Sequence, residues 1–206
     1  MQWDAIQQLA KSKGWLVYAI DQGQTAPLTQ PGPWGDVQAG YCLGLAANWV
    51  ALAYQGSDLP HTAQVCDYPP WQATMAQNIY QNTGSGDRME NWKSALTAFS
   101  CTLSGFKALH KQPPSAAFFC QVAFQAYGCY GIVMEGNGGG HAVAMRNGRD
   151  GRMHLFDPNY FHLAIRDPGE FQATVDWWLN ASGYAKSFEQ VSHIFGIRPP
   201  INHSHP

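Results

Sequence analysis

Apolar and polar positions change rhythm along this chain, and the change divides it in two. Over residues 2–13 apolar side chains return every three to four positions, with Trp3, Ile6 and Leu9 inward. This predicts a short amphipathic helix closed by Gly14. WLVYAI (15–20) reads as a strand or as core. From 21 to 39 the prolines Pro27, Pro31 and Pro33, with several glycines, break every period, so this stretch is loop. Between Gly40 and Gly56 the helical rhythm returns. Leu45, Trp49 and Leu52 repeat at helical spacing with Ala46, Ala53 and Tyr54 beside them, and Gly56 stands where a C-terminal cap belongs. An irregular piece carrying Pro60, Pro69 and Pro70 follows. Further helices are predicted over 71–82, 88–99 and 114–127, the last started by Pro113 and Pro114.

From Gly131 the runs shorten. GIVMEG, HAVAMRN and RMHLFDP are apolar, partly alternating and bounded by Gly, Asn and Asp, which is the pattern of strands. A helix over 168–180, a strand near 190–197 and a loose INHSHP tail complete the reading. The prediction is an α+β fold in a single domain over 1–206. Its helical part runs to about 128 and its antiparallel sheet part from about 129 to 200, one layer packed on the other.

Composition narrows the function classes. Charged residues make up 13% of the 206 positions, about half the usual ~25%, and the formal net charge is −2. Neither nucleic acid nor an anionic membrane surface has an electrostatic claim on such a chain. The opening MQWDAIQQLAKSKG lacks the apolar run of a cleavable signal or a membrane span, so neither a signal peptide nor membrane insertion is expected. Five cysteines with no CxxC pair argue against a disulfide framework and for a reducing compartment. Cys66, Cys101, Cys120 and Cys129 read as core or surface thiols, and His154 as a residue facing its neighbours across a strand. Trp177 and Trp178 read as one core anchor and one boundary residue, with the lining of a substrate cleft as the alternative. The His203-x-His205 pair in the tail is too little for a metal site, and no metal or cofactor is expected.

Cys42 falls in the opening turn of the helix after Gly40. There, unpaired N–H groups and the positive end of the helix dipole favour thiolate, the nucleophilic form. A thiol nucleophile needs a base in reach, and the base needs a third group to orient it. The second half supplies both. NGRDG between HAVAMR and RMHLFD is a strong hairpin signal. With the turn centred on Arg149, residues whose numbers sum to 298 face each other, which sets His141 opposite Asp157 on one face. Gly138, Gly139 and Gly140 before His141 allow close approach to that strand end.

In three segments the chain resembles the YopT-like cysteine peptidases, papain-fold enzymes found among bacterial effectors delivered into other cells. The segments are G-x-C-x-x-L-x-x-x-W (Gly40, Cys42, Leu45, Trp49), Gly140-His141-Ala142 and Phe156 to Tyr160. The resemblance implies a papain-like fold in which the nucleophile helix packs on the antiparallel sheet. It implies Cys42 as nucleophile, His141 as general base and then acid, and Asp157 as the orienting group. A papain-like site also wants a side-chain donor upstream of the nucleophile to hold the oxyanion with the Cys42 N–H, and Gln38 suits by type and position. The implied partners are a protein or peptide substrate in a target cell, with a secretion chaperone or an immunity protein. The implied route is a specialised secretion system. An amidase, a transglutaminase or a glutamine deamidase with the same three residues, and an inactive binding module, stay open as alternatives.

Overall fold

The computed structural model describes residues 2–20, 42–57, 71–82, 88–124, 126–136 and 139–199. In chain order these form α1 (Gln2–Ser12), β1 (Leu16–Ala19), α2 (Cys42–Tyr54), α3 (Trp71–Asn82), α4 (Arg88–Leu96), β2 (Thr102–His110) and α5 (Ala116–Ala123). The second half adds β3 (Gly128–Gly136), β4 (Gly139–Asn147), β5 (Met153–Asp157), β6 (Phe161–Ile165), α6 (Pro168–Ala181), α7 (Tyr184–Ser187) and β7 (Val191–Arg198). The predicted loop over 21–39 with Gln38, Gly40, the irregular stretch with Cys66, Gly138 and the tail lie outside the described residues, as does the Trp3 side chain.

Strands β3 to β6 follow one another as an antiparallel meander, because each pair of apolar runs is separated by residues that turn the chain. Between β4 and β5 the turn sits one residue later than its sequence suggested. Gly148 accepts from the Gly151 N–H and donates to Arg152 O at 2.9 Å, while Gly151 takes φ +73°. A three-residue loop ending in a left-handed glycine is the arrangement these bonds require. The pairs are therefore Ala144 with Phe156 and Asn147 with Met153, summing to 300 and not 298. A shift of two keeps every side chain on its face, so His141 and Asp157 still share one. They stand diagonally and not directly opposite. Between β5 and β6, Asp157-Pro158-Asn159-Tyr160 closes a turn with Tyr160 N–H on Asp157 O at 3.0 Å. Asp before Pro is the residue order such a turn prefers.

Among the described residues the sheet has seven strands in the order β1-β6-β5-β4-β3-β7-β2, all antiparallel. Both edges come from the first half of the chain, so the region expected to be mainly helical over 57–128 also contributes β2. The two-layer expectation gives way to three layers. On one face α1, α5 and α6 pack Ile6, Phe119, Phe171 and Trp178 against Ile132, Val143, Leu155 and Leu163. On the other face α2, α3 and α4 pack Leu45, Trp49, Ala76 and Trp92 against Val133, Ala142, Ala144, Phe156 and Phe195. Central strands covered on both faces become continuous apolar runs, which is why GIVMEG alternates so weakly. The helix predicted over 114–127 is shorter: Ser115, and not the prolines, caps it by accepting from Phe118 N–H.

Candidate active site

Helix α2 is buried on every side from Leu43 to Ala51, as expected of a helix apolar all round. Trp49 stacks on Phe156, ring centres 5.5 Å apart and planes within 2°, and so fixes the helix against β5 one residue before Asp157. At its C-terminus Ser57 N–H bonds Leu52 O, Gly56 N–H bonds Ala53 O, and Gly56 takes φ +71°. These are the two bonds of a glycine-terminated helix, at the position read from the sequence. At its N-terminus the Gly44 N–H, one of the donors a first turn leaves unpaired, is taken by the buried Gln77 side chain of α3 at 3.1 Å. Cys42 is the first residue of this clamped helix and is partly exposed.

The pairing of β5 with β4 begins only at Ala144, which leaves the first part of β4 open on that side among the described residues. The Cys42 sulfur occupies this opening. It accepts from the backbone N–H of Ala142 and of Leu43 and shares a hydrogen bond with the His141 side chain. His141 Nε2 lies 2.8 Å from Asp157 Oδ1, which leaves Nδ1 for the thiol. Tyr184 and Phe188 cover the ring, at centroid distances of 5.0 and 6.2 Å. Asp157 is fully buried and its oxygens are used: Oδ1 also accepts from Asn159 N–H at 2.9 Å, and Oδ2 from the Trp178 indole at 2.9 Å. Asn159 in turn donates through Nδ2 to the Tyr184 hydroxyl at 2.7 Å.

The electrostatics follow from these contacts. Burial opposes a charge on Cys42, but the hydrogen bond and positive charge of His141, with the two backbone N–H groups, outweigh it and hold the thiol below its ordinary value. Burial likewise opposes a charged His141, and the Asp157 carboxylate and the thiolate overcome it, pushing the imidazole up to about 10. Both directions favour a thiolate–imidazolium pair at neutral pH. The other described thiols differ: burial drives Cys101 to about 11 and Cys120 and Cys129 to about 12.

Of the residues singled out in the sequence, Cys42, His141 and Asp157 come together, while Gln38 lies outside the described residues. Trp178, Asn159 and Tyr184 were not foreseen here. The sequence offers Trp178 as half of an aromatic pair, core anchor or cleft lining, and apolar periodicity says nothing of where an indole N–H points. Among the described residues no three His, Cys, Asp or Glu converge as a metal site.

The family model for the Yersinia/Haemophilus virulence surface antigens, peptidase family C58, matches residues 72–194, more than half of the chain. The chain belongs to the YopT-like cysteine peptidase family. The matched stretch holds His141 and Asp157 and begins downstream of Cys42. Among solved structures, the Pseudomonas avirulence protein AvrPphB is similar with a TM-score of 0.64 at 13% identity, over 90% of this chain and 98% of that one. The fold of this family member is therefore papain-like. PatoxP, a cysteine protease-like domain of the Photorhabdus asymbiotica toxin PaTox, is similar over 97% of this chain and 59% of that one, at 12% identity and a TM-score of 0.47. No curated protein matches by sequence. No helix among the described residues is long and apolar enough to cross a membrane.

Proposed function

We propose that the chain is a peptidase acting through Cys42, His141 and Asp157. The observation that carries this reading is one imidazole held at 2.8 Å by a buried carboxylate while it hydrogen-bonds a thiol at a helix tip. The Cys42 thiolate attacks the carbonyl carbon of an amide, forming a C–S bond. The developing oxyanion is held by the Cys42 N–H, with Gln38 as second donor. The imidazolium of His141 gives its proton to the leaving nitrogen as the C–N bond breaks. Water then attacks the thioester while His141 takes its proton, and hydrolysis restores the ion pair. Asp157 keeps Nδ1 directed at sulfur through all steps.

The names carried by its relatives, virulence surface antigen and avirulence protein, support a chain that works as an effector on proteins of a target cell. Delivery by a specialised secretion system, with a chaperone or immunity protein as partner, belongs to the same proposal. The test is expression of the wild type and Cys42→Ala inside candidate target cells, with cleaved proteins identified by mass spectrometry. The variant should lose at least about a thousandfold of the cleavage rate and its toxicity. Equal toxicity, or an unchanged set of cleaved proteins, overturns the reading.

A pH profile tests the ion pair itself. Alkylation of Cys42 should stay on its plateau well below the ordinary thiol range, because its pKa is lowered. Cleavage should fall on the alkaline side near pH 10, where the raised His141 gives up the proton the leaving group needs. An alkylation midpoint at an ordinary thiol value would remove the basis for the mechanism.

A further inference from the structure

The end of the sheet remote from Cys42 carries a feature that the peptidase chemistry does not use. There the C-terminal ends of α2, β4 and β7 meet the start of β3 and the middle of β2 around a groove of ≈ 820 Å³. From Cys42 to Tyr54 α2 rises about 18 Å, and β4 runs about 17 Å from His141 to Arg146, so the groove is a separate place. Its volume lies within the range of pockets that hold small ligands, roughly 300–1,000 Å³.

Two kinds of wall meet at it from the two faces of the sheet, Arg146 over Trp49 on one and Phe106 against Tyr130 on the other. One is basic: Arg146, Arg149 and Arg198 line the groove, with Asp150 the one carboxylate among the described lining residues. Arg149 and Arg198 are exposed. Arg146 is half-buried and lies 5.8 Å over the Trp49 ring. Its terminal nitrogen is 2.9 Å from His154 Nε2, and its Nε is buried with no hydrogen-bond partner. That His154 is neutral at pH 7, because burial and the adjoining Arg146 and His162 lower it to about 4. The hydrogen-bond partner of Arg146 is therefore a neutral imidazole, and the anion near it is Asp150, whose carboxyl Arg146 helps to hold below its ordinary value. The other wall is aromatic. Phe106 and Tyr127 are among the exposed large apolar side chains, Tyr127 at 71%, and Phe106 is braced edge-on by Tyr130 at 6.1 Å.

We propose that this groove is a binding site for a small molecule with a flat apolar body and at least two phosphate or carboxylate groups. Three guanidinium groups against one carboxylate leave an excess of two positive charges, which sets the minimum ligand charge. Planar, forked donors suit either oxyanion, and the Phe106–Tyr127 side receives the flat body.

The test is calorimetric titration of the full chain at low ionic strength with three probes: ADP, benzene-1,3,5-tricarboxylate and adenosine. At least one of the two anions should bind, telling phosphate from carboxylate, and adenosine should not. Affinity for the bound anion should fall as salt is raised. The double variant R149Q/R198Q alters two exposed side chains and leaves Arg146 in place. It should keep the wild-type melting temperature and bind the anion about ten- to a hundredfold more weakly. The proposal is overturned if neither anion binds up to millimolar concentration. It is equally overturned if adenosine binds as tightly as ADP, or if a folded double variant binds the anion as tightly as the wild type. Should the double variant melt early, R149Q alone is read by the same criteria.

Discussion

Asp157, itself fully buried, draws three donors onto two oxygens: His141 Nε2, the Asn159 N–H and the Trp178 indole. Removing one of them leaves a buried carboxylate oxygen short of a partner, and that oxygen belongs to the group that aims the base. Trp178→Phe keeps an aromatic ring against Phe161 and Tyr184 but deletes the N–H. The expected cost is about 1–3 kcal/mol of stability, together with a fall in kcat larger than any change in KM and a displaced alkaline limb. Thermal melts and steady-state kinetics across pH check this, and a variant with wild-type kinetics would reduce Trp178 to packing. The His141–Asp157 pair itself was legible in the sequence, although the turn was centred one residue early. Strand alternation has a period of two, so that error moved the partner along its face and not off it. The indole was not legible, since no spacing encodes which way a side-chain N–H points.

Helix α2 shows what a sequence discloses at the next level. Its start, its end at Gly56 and its apolar stripe were readable because each is a local property. Its neighbour was not. A Cβ on Gly44 would lie 2.0 Å from the carbonyl oxygen of Ala73, so α2 and α3 touch backbone to backbone there. Gly44→Ala should force the helices apart at the end that carries Cys42 and cost about 1–3 kcal/mol. It should also slow Cys42 alkylation near neutral pH, since the Gln77 bond to residue 44 is lost with the contact. Urea denaturation and alkylation kinetics measure the two effects. Strand β2 escaped notice for a different local reason. Gly105 takes φ +85° and the pairing with β7 shifts register between Leu103 and Lys107, so the alternation restarts within nine residues. Flanked by helices, that broken pattern gave no signal of a strand.

At the scale of the molecule, the layer that covers the α2 face of the sheet also buries polar groups. His154 on β5 sits between Arg146 of β4 and His162 of β6, with Asp150 of the hairpin turn 3.3 Å away. Burial first, then Arg146 and His162, lower His154 to about 4. A histidine lowered on folding binds more protons unfolded than folded. Its contribution is whole above about pH 6.5 and is lost as pH falls toward 4, a total of about 3 kcal/mol. Replacing it with phenylalanine should flatten the acid side of the stability curve. Urea midpoints at neutral and mildly acidic pH compare the two proteins, and parallel curves would assign the acid loss to other groups.

The sheet also has a history implied by its order. Residues 128–165 form neighbouring strands in sequence, so imidazole and carboxylate can meet as soon as that meander closes, whereas the sulfur arrives on a helix from almost a hundred positions earlier. Until that helix seats itself, Cys42 has neither His141 nor the Ala142 N–H beside it, and nothing lowers its pKa. Its chemical temper is thus a reporter of assembly: watched during refolding, the quickening of this one thiol would time the moment at which the two halves join.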